Sequence, residues 1–152
     1  MPEAYMSEGR VKMAFEYLDH VSDVCIRACG ETLSDAFCEA ARAMFNVMVD
    51  IDQVAPQVAV EVRVSARTPD LLLVEWLGRL LSEKDLSGLV FSQFSATIRQ
   101  RGAEVALVGS ARGEAFDASR HELRTEVKGV TYAGLRVWEE DERFMAQCVL
   151  DV

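Results

Sequence analysis

Residues 57–81 read QVAVEVRVSARTPDLLLVEWLGRLL, and this stretch decides the fold. Val58, Val60, Val62 and Val64 alternate strictly with Ala59, Glu61, Arg63 and Ser65. A period of two means a strand with one buried and one solvated face. The period then changes at Thr68-Pro69-Asp70. Thr68 can cap a helix, Pro69 has its φ preset for the first turn, and Asp70 complements the helix dipole. LLLVEWLGRLL is apolar on most sides, so this helix is expected to be the more buried of the chain's helices and to end at Gly88.

Upstream of that strand the same two signals recur. Residues 15–18 and 23–30 read as strands, the second carrying Val24, Ile26 and Ala28 on one face. Thr32-Leu33-Ser34-Asp35 resembles a capping box with a short acid at its third position. Leu33, Ala36, Phe37, Ala40, Ala41, Met44, Val47 and Met48 follow at helical spacing. Asp35, Glu39 and Arg42 fall on the other side and are expected to face water. Downstream the pattern is strands: residues 89–99, a turn at Gly102, residues 104–113, a polar loop, residues 126–138 and residues 144–150. Glu139-Glu140-Asp141-Glu142 reads as a solvated hairpin tip. The order β-β-α-β-α-β-β-β-β, with strands segregated from two helices, indicates an α+β two-layer sandwich of largely antiparallel sheet. Residues 1–13 have no period and read as a flexible tail before one domain over residues 14–152.

The 152 residues and 16.9 kDa fit that one domain. Half the residues are apolar, which excludes disorder for most of the chain. The net charge of −9 argues against a stand-alone nucleic-acid binder, because phosphate binding is driven by Lys and Arg. Service to RNA or DNA would run through a partner, or act locally. No run of about 18 apolar residues suggests a membrane span. The N-terminus lacks the apolar core of a secretory signal, so a cytoplasmic protein with reduced thiols is expected. Cys25, Cys29, Cys38 and Cys148 match no zinc spacing.

Three places look unlike scaffold. Asp19-His20-Val21-Ser22-Asp23 packs two carboxylates, an imidazole and a hydroxyl into five residues, although turns use the same residue types. Gly113-Glu114, Asp117 and Arg120-His121-Glu122 gather three acids, an Arg and the second His in a polar loop. A His beside acids can do acid/base work, or simply be structural. The third place is the apolar end Cys148-Val149-Leu150-Asp151-Val152. Asp151 and the carboxylate of Val152, joined by a third carboxylate, would suit a hard cation. Spacing does not identify that third group. Nucleotide-binding loops, the nucleophile elbow, the zincin helix and the EF-hand are all absent.

The segments Tyr17-Leu18-Asp19-His20-Val21-Ser22-Asp23-Val24, Gly113-Glu114, Arg120-His121-Glu122, Thr125-Glu126-Val127-Lys128-Gly129-Val130-Thr131-Tyr132, Ala146-Gln147 and Asp151-Val152 stand in one order. That series resembles the archease family, whose sequences carry H-T-A-D, R-H-E and T-E-V-K-A-[IV]-T-Y and end on Asp-Ile or Asp-Val. The resemblance implies an accessory protein, not an enzyme. Its partner would be a GTP-dependent RNA ligase of tRNA splicing and RNA repair. It would promote guanylylation of the ligase and multiple turnover, and would contact RNA only through the ligase. It further implies a calcium-type divalent metal site with Asp23, Asp151 and Val152 as ligands. His20, His121, Glu122 and Lys128 become candidates for the ligase-activating contacts. The chain departs from the pattern at Val21-Ser22, at Gly129 in place of Ala, and at Ala133 in place of a frequent His. The alternatives are a chaperone-like modulator of proteins, and a metal-dependent phosphodiesterase using His20 and His121.

Overall fold

The computed structural model describes residues 13–19 and 22–152, together with the backbone of a short ladder between β1 (Met6–Ser7) and β2 (Arg10–Val11). The main body follows the order β3 (Ala14–Leu18), β4 (Val24–Gly30), α1 (Leu33–Met48), a 3-10 turn (Ile51–Gln53), β5 (Val58–Ala66) and α2 (Pro69–Ser87). It continues with β6 (Leu89–Arg101), β7 (Glu104–Ala115), β8 (Gly129–Val130), β9 (Arg136–Glu140) and β10 (Arg143–Asp151). The fold is α+β, as the pattern implied, with the eight strands of this body in two antiparallel sheets. One sheet runs β3-β4-β10-β8 with β9 also paired to β10, and the other runs β5-β7-β6.

Both helix starts form where local chemistry puts them. Thr32 accepts a hydrogen bond from the Asp35 N–H at 3.0 Å, and Thr68 from the Leu71 N–H at 3.4 Å. Gly88 closes α2 at φ 75°, a conformation that favours glycine. The burial is distributed differently from the expectation. The more buried helix is α1, which packs on β3, β4 and β10 of one sheet and on β6 of the other. Buried Ala36, Ala40, Ala41 and Ala43 keep its backbone close to both. Two-sided packing also buries Glu39, which was expected in water. Arg42 donates to both its oxygens at 3.1 and 3.3 Å, and desolvation pushes its pKa up.

Trp76 of α2 donates its indole N–H to the Phe37 carbonyl at 2.9 Å, tying the helices together in the core. Phe45 meets Phe91 and Phe94 of β6 at centroid distances of 5.4 and 5.6 Å. In β5 only Val62 of the alternating valines is fully buried, because this strand is a sheet edge. The four cysteines are free, and burial pushes the Cys38 and Cys148 thiols up to about 12. No helix among the described residues is long and apolar enough to cross a membrane.

The segment over residues 126–138 is not one strand. It divides into β8 and β9, which pair with successive parts of the same edge of β10. Between them the chain turns at Gly134, φ 62°. The acidic tip is a tight turn with Asp141 at φ 51° and Glu142 at φ 62°.

Candidate functional site

The loop after β7 opens at a crowded point. A bulge interrupts the β6 register between Phe91 and Gln93, and a Cβ on Gly113 would collide with the Val90 carbonyl. Glycine there lets Glu114 turn inward, where only 7% of it is exposed. One Glu114 oxygen accepts from Arg120 at 2.6 Å, and the other from the Ala55 N–H at 2.8 Å and from His121 Nε2 at 2.9 Å. His121 is itself buried, and its Nδ1 accepts the Asp117 N–H at 2.8 Å, which leaves the ring N–H on Nε2 to donate to Glu114. The Arg120 guanidinium, then the Ala55 amide and His121, hold Glu114 down to about 2. Asp117 is held below the usual carboxylate range by Ser119 and Arg120. The result is a closed knot in which each polar group has its partner.

From this knot the chain runs as a strap along the C-terminal end of α1. The last carbonyls of a helix lack intrahelical partners, and α1 has no basic residue in its last turn. The strap supplies both. The Arg124 N–H donates to the Met48 carbonyl at 2.9 Å and the Thr125 N–H to the Val47 carbonyl at 3.0 Å. The Arg124 guanidinium donates to the Asn46 carbonyl at 3.0 Å and to Glu122 at 2.8 Å. Sequence reasoning passed over Arg124, although it stands between two quoted motifs. Its task is set by a helix 78 residues away, so no local signal marks it.

The strap ends at β8, beside the last residues of β10. The Lys128 N–H donates to the Asp151 carbonyl at 2.7 Å, and the Lys128 side chain is exposed. Leu150 stands opposite Val24 as the last pair of the β4–β10 ladder, so Asp151 and Asp23 both lie just past that pair at the same end of the sheet. Neither carboxylate has a hydrogen-bond or ion-pair partner among the described residues. Val152 packs its side chain against the core. Beside Asp23 a cleft of about 460 Å³ is lined by Tyr17, Asp19, Asn46, Arg124 and Thr125, among others. Tyr17 donates to the Ala43 carbonyl at 2.9 Å, and burial raises its pKa.

The structure therefore brings Asp23, Asp151, Val152 and Lys128 to one end of the five-stranded sheet. Glu122 lies on the strap, exposed, with its side chain engaged by Arg124. His121 lies inside the knot and presents no surface. His20 is outside the described residues. Among the described residues no three His, Cys, Asp or Glu side chains form a metal-holding group. A site at this end needs the Val152 carboxylate beside Asp23 and Asp151. Those donors are all hard oxygens, which fits a calcium-type cation.

Comparison with known proteins matches residues 15–152 to the model of the Archease protein family. The chain belongs to the archease family. The archease of Pyrococcus furiosus is 37% identical over 139 residues, covering 91% of this chain and 98% of that protein. The archease of Aeropyrum pernix is 38% identical over 135 residues, covering 88% and 94%. The solution structure of Methanobacterium thermoautotrophicum protein 1598 superposes with a TM-score of 0.82 at 34% identity, over 91% of this chain and 99% of that one. A Thermotoga maritima archease, described as a possible chaperone, shares the fold at TM-score 0.56 and 16% identity, over 89% of this chain and 94% of that one. The archease match spans both the knot and the Asp23–Asp151 end, so the family alone does not tell which of them is functional.

Proposed function

We propose that this chain is a non-enzymatic accessory protein of a GTP-dependent RNA ligase in the cytoplasm, acting in tRNA splicing and RNA repair. It promotes guanylylation of the ligase and lets each ligase molecule turn over many times. The observation that carries this reading is the pair of carboxylates, Asp23 and Asp151, at one end of the sheet in the segments that resemble the family motifs, with no partner among the described residues. With the Val152 carboxylate they would hold a divalent cation of the calcium type. When bound, such an ion would neutralise the paired acids and present a positive centre to anionic groups of the partner.

The chain's own residues do the rest. The strap fixes the end of β10 against β8, which sets the spacing of Asp151 from Asp23. Exposed Lys128 beside Asp151 supplies a cation for a phosphate or a ligase carboxylate. Glu122 holds Arg124 on α1, and His121 stabilises the knot through Glu114 and Asp117. Single-turnover guanylylation of the ligase tests the reading. Asp151→Ala should leave guanylylation at the rate of the ligase alone, and a wild-type rate with this variant overturns the assignment. A chaperone-like role predicts instead that Asp151→Ala still suppresses aggregation of an unrelated protein.

A further inference from the structure

The three-stranded sheet turns one face to the helices, and among the described residues nothing covers the other. Alternation along the strands puts Glu61, Arg63 and Ser65 of β5 on the uncovered face. The same alternation adds Glu104, Ala106, Val108, Ser110 and Arg112 of β7, and Gln93, Ser95, Thr97, Arg99 and Arg101 of β6. In a chain of net charge −9 this face carries four arginines against two glutamates. Arg63 is engaged by Glu61 at 3.0 Å. Arg99, Arg101 and Arg112 have no ion-pair or hydrogen-bond partner among the described residues, although Glu104 stands opposite Arg101 in the register.

A second feature lies on the same face. Gln93, Phe94, Ser95, Ser110 and Arg112 line a recess of about 140 Å³. The Ser95 and Ser110 hydroxyls lie 2.8 Å apart, so one donates to the other and one proton remains free. A guanidinium, a free hydroxyl proton and a side-chain amide converge there. That is a donor set for a phosphate group, with no carboxylate lining it.

We propose that this face binds the sugar-phosphate backbone of single-stranded RNA, with one phosphate in the recess and its neighbours along Arg99 and Arg101. This deepens the reading above by giving the accessory protein its own hold on the ligase's RNA substrate. From Gln93 to Arg101 β6 extends about 26 Å at roughly 3.3 Å per residue, enough for a few nucleotides. Among the described residues of this face no aromatic ring stands out for base stacking, since Phe94, which lines the recess, packs its ring against Phe45 and Trp76. Recognition is therefore of phosphate and indifferent to sequence. An acidic protein partner fits less well, because the face lacks the aromatic anchors on which protein interfaces rely.

The test is fluorescence anisotropy of a labelled RNA of about a dozen nucleotides with this protein alone at low salt. Three phosphate contacts predict a slope of log affinity against log salt of about −2. Arg99→Ala with Arg112→Ala should weaken binding about tenfold or more and reduce the slope by about 0.7 per arginine. Gln93→Glu, which places a carboxylate in the recess, should weaken it without removing an arginine. All three sites are exposed, so circular dichroism should be unchanged. Asp23→Ala should bind RNA as wild type does. Absent RNA binding, wild-type affinity in the double arginine variant, or capture of polyglutamate in preference to RNA overturns the proposal. Ligase activation is measured separately: RNA binding without activation would overturn the ligase reading and leave this face standing. Activation without RNA binding would do the reverse.

Discussion

Two polar clusters stand about one strap apart in this molecule and differ in one respect. In the knot, Glu114 receives donors from Arg120, Ala55 and His121, and its carboxylate is buried. At the sheet end, Asp23 and Asp151 lie just past the Val24–Leu150 pair with no partner among the described residues. Both clusters combine a His with carboxylates in the sequence, and both sit in segments that resemble family motifs. Saturation separates them. A carboxylate whose acceptors are all used holds structure, whereas carboxylates without a partner in the chain are free to engage something outside it.

Mutation should divide the two clusters by readout. The largest effect belongs to the acidic end. Asp23→Ala or Asp151→Ala should weaken calcium binding, read by titration calorimetry, by about tenfold or more, with unfolding free energy within about 0.5 kcal/mol of wild type. A short extension after Val152 should weaken it similarly, because the terminal carboxylate moves away. Unchanged affinity in the extended chain removes Val152 from the ligand set. The knot should behave in the opposite way. His121→Ala leaves a cavity, an unpaired Asp117 N–H and a depleted Glu114, so chemical denaturation should show a loss of about 3 kcal/mol. Its calcium affinity below the unfolding transition should be unchanged.

Smaller effects sharpen the contrast. Glu114 is held at about 2 in the folded chain and titrates near 4.5 when unfolded. Between those values the unfolded state binds the extra proton, so Glu114's contribution is complete above about pH 5 and is lost as pH falls toward 2. In Glu114→Gln the stability-pH slope in that window should flatten. Arg124→Ala should cost about 1 kcal/mol through the uncapped α1 carbonyls, discounted for its partial exposure. Thr32→Ala should cost a similar amount at the other end of α1.

The helices, β5 and the element order were legible because their determinants are local. A cap bonds three residues ahead, a strand alternates with period two, and Gly88 stops a helix where it stands. What was not legible depends on partners distant in sequence. Glu39 is buried because α1 is covered by two sheets, which its own stripe does not reveal. The segment over residues 126–138 divides because β10 offers it one edge in two places. Arg124 caps a helix 78 residues earlier. In the candidate site, Asp23 and Asp151 were joined only by resemblance, and the pairing of β4 with β10 is what brings both to the same end of the sheet. His121 and Asp23 looked alike as chemistry, and what distinguishes them is that His121 is buried and fully hydrogen-bonded whereas Asp23 is half-buried with no partner among the described residues.

The most direct test of that distinction is a ligation time course under limiting GTP-dependent RNA ligase. It would compare the wild-type chain, Asp23→Ala and His121→Ala at a temperature where all three are folded. The account predicts many turnovers with wild type and His121→Ala, and a halt near one product per ligase with Asp23→Ala. Full multiple turnover with Asp23→Ala would contradict it.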